Sequence, residues 1–382
     1  MELLDESIVP DHARERKRAA RAFADAEIAP VAADYHASGT YPWDVLEAAM
    51  GEGFVAQEIG EAYGGEGYDL YQLLATAEEF FRADAGIALT LQLAGFGCEM
   101  IERYGSAAQK DQYLRPIAAN EQISGLAVSE PETGSDLAGM STEATKVDGG
   151  YRLSGEKYWV GNAVEADWLT LYAKTGDRED RYSNFSVFIV ETDREGYHAT
   201  HVPEKIGMCA SKQGHIVLED CFVPTDNLVG TEGGGFYMLT EFFNKARVIV
   251  GGHGLGLAAA AIEEAEAFVA DREGFGRTLD EFQAVQHTLA DMRLRFESAR
   301  ALVWRACKKV DTGDHPGYWA ALAKTHATEA ATFCAERAMQ LHGGRSIFAD
   351  RRISRVYRDV RIPTVYEGAN EIQRNLIYRH RP

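Results

Sequence analysis

The chain has 382 residues, 46% of them hydrophobic, which is enough to fill two or three separately cored units rather than one. Its 59 acidic residues outnumber 39 basic ones, and the formal net charge of -20 repels nucleic acid and anionic membrane alike. Five cysteines, at 98, 209, 221, 307 and 334, form no CxxC pair and no metal-ligand spacing, and their odd number argues for a reducing cytoplasm over a disulfide framework.

The acid excess has two readings: an ordinary acidic cytosolic protein, or adaptation to a high-salt cytoplasm whose counterions screen self-repulsion, and we favour the second. The N-terminal stretch "MELLDESIVPDHARERKRAA" lacks the apolar core and cleavage site of a signal peptide. A soluble, cytoplasmic protein without membrane insertion is expected.

In chain order, residues 1–121 form a helical unit. "DHARERKRAARAFADAEIAPVAADY" sets Ala20, Phe23, Ala24 and Ile28 at helical spacings, with Pro30 near the helix end. "WDVLEAAMGEGF" and "LYQLLATAEEFFRAD" are the next helices, and "GEAYGGEGYD" is the loop between them. Residues 122–232 change texture: "YRLSGEKYWV", "WLTLYAK" and "FSVFIVET" are rich in aromatic and β-branched residues and bounded by turn signals, the pattern of an antiparallel β unit. Helical period returns over 233–382, in runs near 236–271, 280–312 and 317–342. The class is α+β, mostly α, ordered helices, β, helices.

Within the third unit, "RVIVGGHGLGLAAAA" carries Gly254, Gly256 and Ala259 in the G-x-G-x-x-A spacing of a dinucleotide-binding turn. The next residues are helical and then glycine-broken, with no second strand, so small residues easing close helix contact are the better reading. The same apolar run, Val248 to Ile262, holds His253 and several glycines and is too short to span a bilayer.

Three stretches together resemble the acyl-CoA dehydrogenase family of flavoproteins: "LAVSEPETGSDLAG" (126–139) with "GEKYWVGNAVEADW" (155–168), "DREGFGRTLDEFQAVQHTLADM" (271–292), and "MQLHGGRSIFADRRISRVYRDVRIPTVYEGANEIQRNLIYRH" (339–380). Their order and spacing fit that family over the whole chain. The resemblance implies an N-terminal helical domain, a middle antiparallel β-barrel and a C-terminal four-helix-bundle domain. It further implies FAD, an acyl-CoA substrate, fatty acid β-oxidation, a homotetramer built as a dimer of dimers, and electron delivery to an electron-transfer flavoprotein. No metal is implied.

Residue by residue, the resemblance lays the Ala127, Val128 and Ser129 backbone, Trp159 and Gly161 against the flavin. Arg272, Phe275 and Gln283, with Gln340, Gly343 and Gly344, would reach the FAD of a neighbouring subunit. Read alone, these residues admit blander roles. Ser135 in "ETGSD" offers a hydroxyl to pyrophosphate or phosphopantetheine, or simply closes a turn. Trp159 lies on a heterocycle or in a core. Arg272 pairs with phosphate or is solvated.

Oxidising an acyl thioester to its enoyl form needs a base for the α-proton, and a carboxylate serves if an apolar, dry site raises its pKa. The resemblance assigns this base to Glu367 in the "YEG" motif, with its backbone N–H and a flavin ribityl hydroxyl holding the thioester carbonyl. Gly368 lets the backbone approach a ligand, and Asn370 is expected to cap a helix starting near Glu371. Judged alone, Glu367 is an exposed loop acid. Some family members carry the base on the helix that here reads "FFNKARVIV", but Asn244 and Ala246 stand there and neither is a base, with Arg247 beside them as a partner near the active site or CoA.

The chain departs from the family pattern near cofactor and substrate. Gly161 replaces a Thr or Ser, Asn244 an acid, Ala369 a Thr and Glu371 a Gln, and a Gly-x-Arg-x-Ser-x-Thr pattern is reduced to Gly207 and Ser211, with Cys209 and Gln213. These changes leave room for an acyl-CoA oxidase or enoyl-thioester reductase on the same scaffold, or a non-catalytic CoA-binding helical protein.

Overall fold

The computed structural model describes residues 3–381. The N-terminal helices are α1 (Asp11–Phe23), α2 (Ala32–Ser38), α3 (Trp43–Gly51), α4 (Leu70–Ala83), α5 (Ala85–Leu93), α6 (Cys98–Tyr104), α7 (Ala107–Gln109) and α8 (Arg115–Ala118). The stripe read from the sequence holds: Ala20, Phe23, Ala24 and Ile28 are all buried, the last two on a π-helical turn that continues α1. Local chemistry sets the helix starts. Asp69 and Gln72 form a capping box at α4, and Asp84 Oδ1 accepts from the Gly86 and Ile87 N–H groups, both at 3.0 Å, to begin α5.

The middle strands are β1 (Ser124–Ala127), β2 (Glu143–Val147), β3 (Gly150–Gly161), β4 (Trp168–Lys174), β5 (Phe185–Glu191), β6 (Tyr197–His201), β7 (Gln213–Pro224) and β8 (Leu228–Val229). They form one sheet in the order β6-β7-β3-β2-β4-β5-β8, with β1 added beside β4. This corrects two expectations. Among the described residues no closed barrel forms, since β6 and β8 end the sheet, and it is not purely antiparallel, because β1 and β2 both run parallel to β4. The long excursions between β1, β2 and β4 permit this, where a hairpin would force antiparallel pairing.

The C-terminal part holds α9 (Gly235–Asp271), the hairpin β9 (Glu273–Gly274) and β10 (Arg277–Thr278), α10 (Gln283–Asp311), α11 (Pro316–His342), α12 (Arg352–Asp359) and α13 (Asn370–Arg379). The G-x-G-x-x-A stretch lies inside α9, as the packing reading requires. A Cβ on Gly254 would sit 2.6 Å from the Ala327 carbonyl carbon of α11, and one on Gly256 2.6 Å from the Glu78 carbonyl oxygen of α4. Glycine therefore lets three helix backbones meet. By length and composition α9 could cross a membrane, but 89% of its apolar window is buried inside the protein. The N- and C-terminal helices share one hydrophobic core, the sheet has its own, and a third joins α6, the sheet and the start of α9.

Candidate active site

Glu367 follows a 3-10 turn at Ile362–Thr364 and precedes α13. Its φ is +54° and that of Gly368 is +87°, so two successive residues take the left-handed conformation, which costs a non-glycine residue free energy and needs support from its surroundings. The support is on the carbonyls. Arg247 Nε donates to the Glu367 oxygen at 3.1 Å, while Lys324 Nζ and Gln373 Nε2 each donate to the Gly368 oxygen at 2.8 Å. Asn370 is not the cap: it is the first residue of α13, and its amide bridges Lys324 Nζ (2.9 Å) and Thr328 Oγ1 (3.1 Å), tying α13 to α11.

With these donors spent on backbone, the Glu367 carboxylate oxygen Oε2 is buried without a hydrogen-bond partner. Burial pushes its pKa up to about 7, although Arg247 and Lys324 oppose the rise and Glu99 adds to it. Burial likewise lowers Lys324 to about 7. Behind Glu367, the Tyr366 hydroxyl lies 2.6 Å from His253 Nδ1, and His253 Nε2 lies 2.6 Å from Gln92 Oε1. Gln92 Oε1 is an acceptor, so the proton sits on Nε2, and Nδ1 accepts from the tyrosine. His253 is stacked on Phe81 at 3.7 Å, and burial lowers its pKa to about 3, so it stays neutral.

A cavity of ≈ 700 Å³ opens between α4, α6 and α9, with Phe81, Gln92, Phe96, Phe242, Asn244 and Ala246 on its wall. Asn244 and Ala246 thus face the space where an alternative base would stand. Sequence reasoning missed three acids on the same wall: Glu58, Glu99 and Glu102. The signal was there, since Glu99 and Glu102 are three residues apart and share one face of α6.

The residues expected at the flavin gather on the sheet. Ala127 is buried at the end of β1, while Val128 and Ser129 are half-buried just beyond it. Fully buried Lys157 holds them, donating to the Val128 carbonyl at 3.0 Å and to Glu130 Oε1 at 2.9 Å. Trp159 sits at a break in the β3–β7 register with φ +58° and is 56% exposed, so it is not a core tryptophan. A Cβ on Gly161 would lie 2.6 Å from Leu93 Cδ1, which explains the missing hydroxyl residue: Leu93 of α5 fills its space. Ser135 is exposed, in the loop after the Glu130–Thr133 backbone pair.

The second set lies elsewhere, at the ends of α9 and α11, which meet through Phe268 stacked on His342 at 4.3 Å. Arg272, Gln283, Gln340, Gly343 and Gly344 are exposed, and Phe275, at the hairpin tip, is 99% exposed. Ala369 is half-buried at the N-cap of α13 and Glu371 is exposed in its first turn. An uncovered indole beside half-buried backbone, and open glycines beside an exposed guanidinium, fit a flat ring system with a pyrophosphate tail such as FAD.

Models of the acyl-CoA dehydrogenase N-terminal, middle and C-terminal domains match residues 10–121, 125–221 and 233–381. The probable acyl-CoA dehydrogenase FadE25 of Mycobacterium tuberculosis is 35% identical, the alignment covering 97% of this chain and 95% of that one. The butyryl-CoA dehydrogenase structure from Megasphaera elsdenii superposes with a TM-score of 0.92 at 30% identity, covering 97% and 98% of the two chains. A chain described with the electron transferring flavoprotein of Acidaminococcus fermentans gives 0.93 at 30%, covering 97% of each. With all three domains matched in order, this chain belongs to the acyl-CoA dehydrogenase family and is an oxidoreductase.

Proposed function

We propose that the protein converts an acyl-CoA thioester to its trans-2-enoyl form, with Glu367 Oε2 taking the α-proton. The observation that carries this reading is a buried, partnerless carboxylate oxygen whose pKa is poised near 7, close to the cavity wall through Glu99. Arg247 and Lys324 keep enough of the carboxylate ionised to accept a proton, and the Glu367–Gly368 left-handed pair aims it. FAD, when bound, supplies the acceptor for the β-hydride; Ala127, Val128, Ser129, Ser135, Trp159 and Gly161 are the residues that would hold its near side. Arg272, Phe275, Gln283, Gln340, Gly343 and Gly344 would serve a neighbouring subunit's cofactor in a homotetramer, which the exposure of Phe275, Ile347 (76%) and Phe348 (60%) supports. An electron-transfer flavoprotein is the acceptor we favour, on the likeness to the Acidaminococcus chain. The test is anaerobic titration with acyl-CoAs: the flavin absorbance bleaches in the native enzyme and stays in Glu367→Gln. Normal bleaching in that variant removes the assignment. A second reading, an oxidase, rests on Gly161, and rapid oxygen consumption with acyl-CoA would favour it.

A further inference from the structure

The acyl-CoA reading leaves one part of the cavity unexplained, because a plain hydrocarbon tail has no use for carboxylates. Glu58 and Glu99 share this wall, and burial raises both carboxyls above the ordinary range, Glu99 further because the charge of Glu58 is close by. Glu102 Oε2 is buried and has no partner at all. Among the described residues none of the three is in an ion pair: Arg103 is taken by Glu241, and Lys245, exposed at the cavity rim, draws Glu58 only from a distance. Aromatic rings stand on the same wall, with Phe96 edge-on to Phe242 at 5.5 Å and Tyr104 nearby. Uncompensated acid in a roomy, ring-lined cavity is the environment that binds a cation, through charge and through ring faces together.

We propose that Glu58, Glu99 and Glu102 select an acyl group carrying an ammonium, so that the substrate is a cationic acyl-CoA rather than a simple fatty acyl-CoA. The inference rests on the dehydrogenase reading and sharpens its substrate. On binding, the ammonium stabilises the ionised carboxylates, and any proton that burial holds on them passes to solvent. Glu102 Oε2 gains the hydrogen bond it lacks.

The test uses the FAD-loaded enzyme and CoA thioesters matched in length but ending in ammonium, methyl or carboxylate. Flavin bleaching gives kcat/KM, and calorimetry with non-oxidisable thioether analogues gives Kd independently of turnover. The ammonium form is expected to bind at least about tenfold more tightly than the methyl form, and the carboxylate form most weakly. Glu102→Gln, close to isosteric, should shrink the ammonium preference while leaving the affinity for the methyl form in place; Glu99→Gln checks the same point if that variant folds poorly. Equal or tighter binding of the methyl form overturns the cationic assignment and leaves the dehydrogenase reading intact. Bleaching by none of the thioesters overturns both.

Discussion

Two groups of buried acids have opposite fates. On α4, Glu78 and Glu79 are enclosed by cations: Lys17 Nζ reaches them at 2.9 and 2.5 Å, Arg21 meets Glu79 at 3.0 Å, and Trp304 donates to Glu78 at 2.8 Å. Burial alone would raise Glu78, but Lys17 and Arg300 outweigh it and hold its pKa below the usual range. Glu58 and Glu99 on the cavity wall, and Glu367, lack such enclosure, and burial raises all three. The difference separates acids that staple the fold from acids left unpaired inside it, according to whether a cation touches their carboxylate oxygens.

The comparison is tested most strongly at its two extremes. Glu367→Gln should lower the rate of flavin reduction by about 10²–10⁴-fold, the usual worth of a general base, while the bound FAD and the fold survive. Loss of folding instead would show that this acid belongs with the staples. Lys17→Met should do the reverse, costing about 3–5 kcal/mol in denaturant unfolding by removing the cation that Glu78 and Glu79 share and leaving their charges to the arginines, Arg300 and Arg21 among them, with activity per folded molecule retained.

Gly161→Thr should cost about 1–3 kcal/mol through its clash with Leu93, and Leu93→Ala in the same chain should restore the melting temperature. A penalty that persists in the double variant would mean that Leu93 is not the obstacle.

Acid should pull the two groups apart. The folded pKa of Glu367, about 7, exceeds its ordinary 4.5, so its burial penalty builds between those values and is complete above them. Glu367→Gln should therefore gain melting temperature relative to the native enzyme at pH 8 but not at pH 4. Glu78, with its pKa lowered, contributes stability above the ordinary carboxylate range and loses it as pH falls below. Activity should rise with pH through about 7, and Lys324→Met should move that midpoint upward, because the lysine charge helps to hold it down. An unmoved midpoint would detach Lys324 from the base.

The smallest effect concerns surface charge. If the net charge of -20 reflects a high-salt setting, activity and melting temperature should both improve from dilute buffer to molar KCl. Equal values in the two buffers would end that reading.

Much of the fold, and the candidate site as proposed, was legible in the chain itself. Alternation and period marked the order helices, β, helices, and the "YEG" motif led to Glu367 because Asn244 and Ala246 left no rival. The features that stayed hidden depend on contacts far apart in sequence. Nothing near Gly161 announces Leu93, nothing near Glu58 announces Glu99, and the parallel pairing of β1 and β2 with β4 comes from loop routing rather than from strand composition. Asn370 misled for the same reason: its side chain was already bound to α11, 42 residues upstream at Thr328.

The glycines of α9 have a mechanical consequence. At 37 residues the helix is a rod of about 55 Å, carrying cavity residues near its first turns and the Phe275 hairpin beyond its last. Backbone contact at Gly254 and Gly256 clamps the rod near its middle, so it has no freedom to slide along its axis. The distance from the cavity to the outward-facing hairpin is therefore a fixed length written in peptide bonds, and a neighbouring molecule seated on Phe275 would be held in register with the chemistry at the other end.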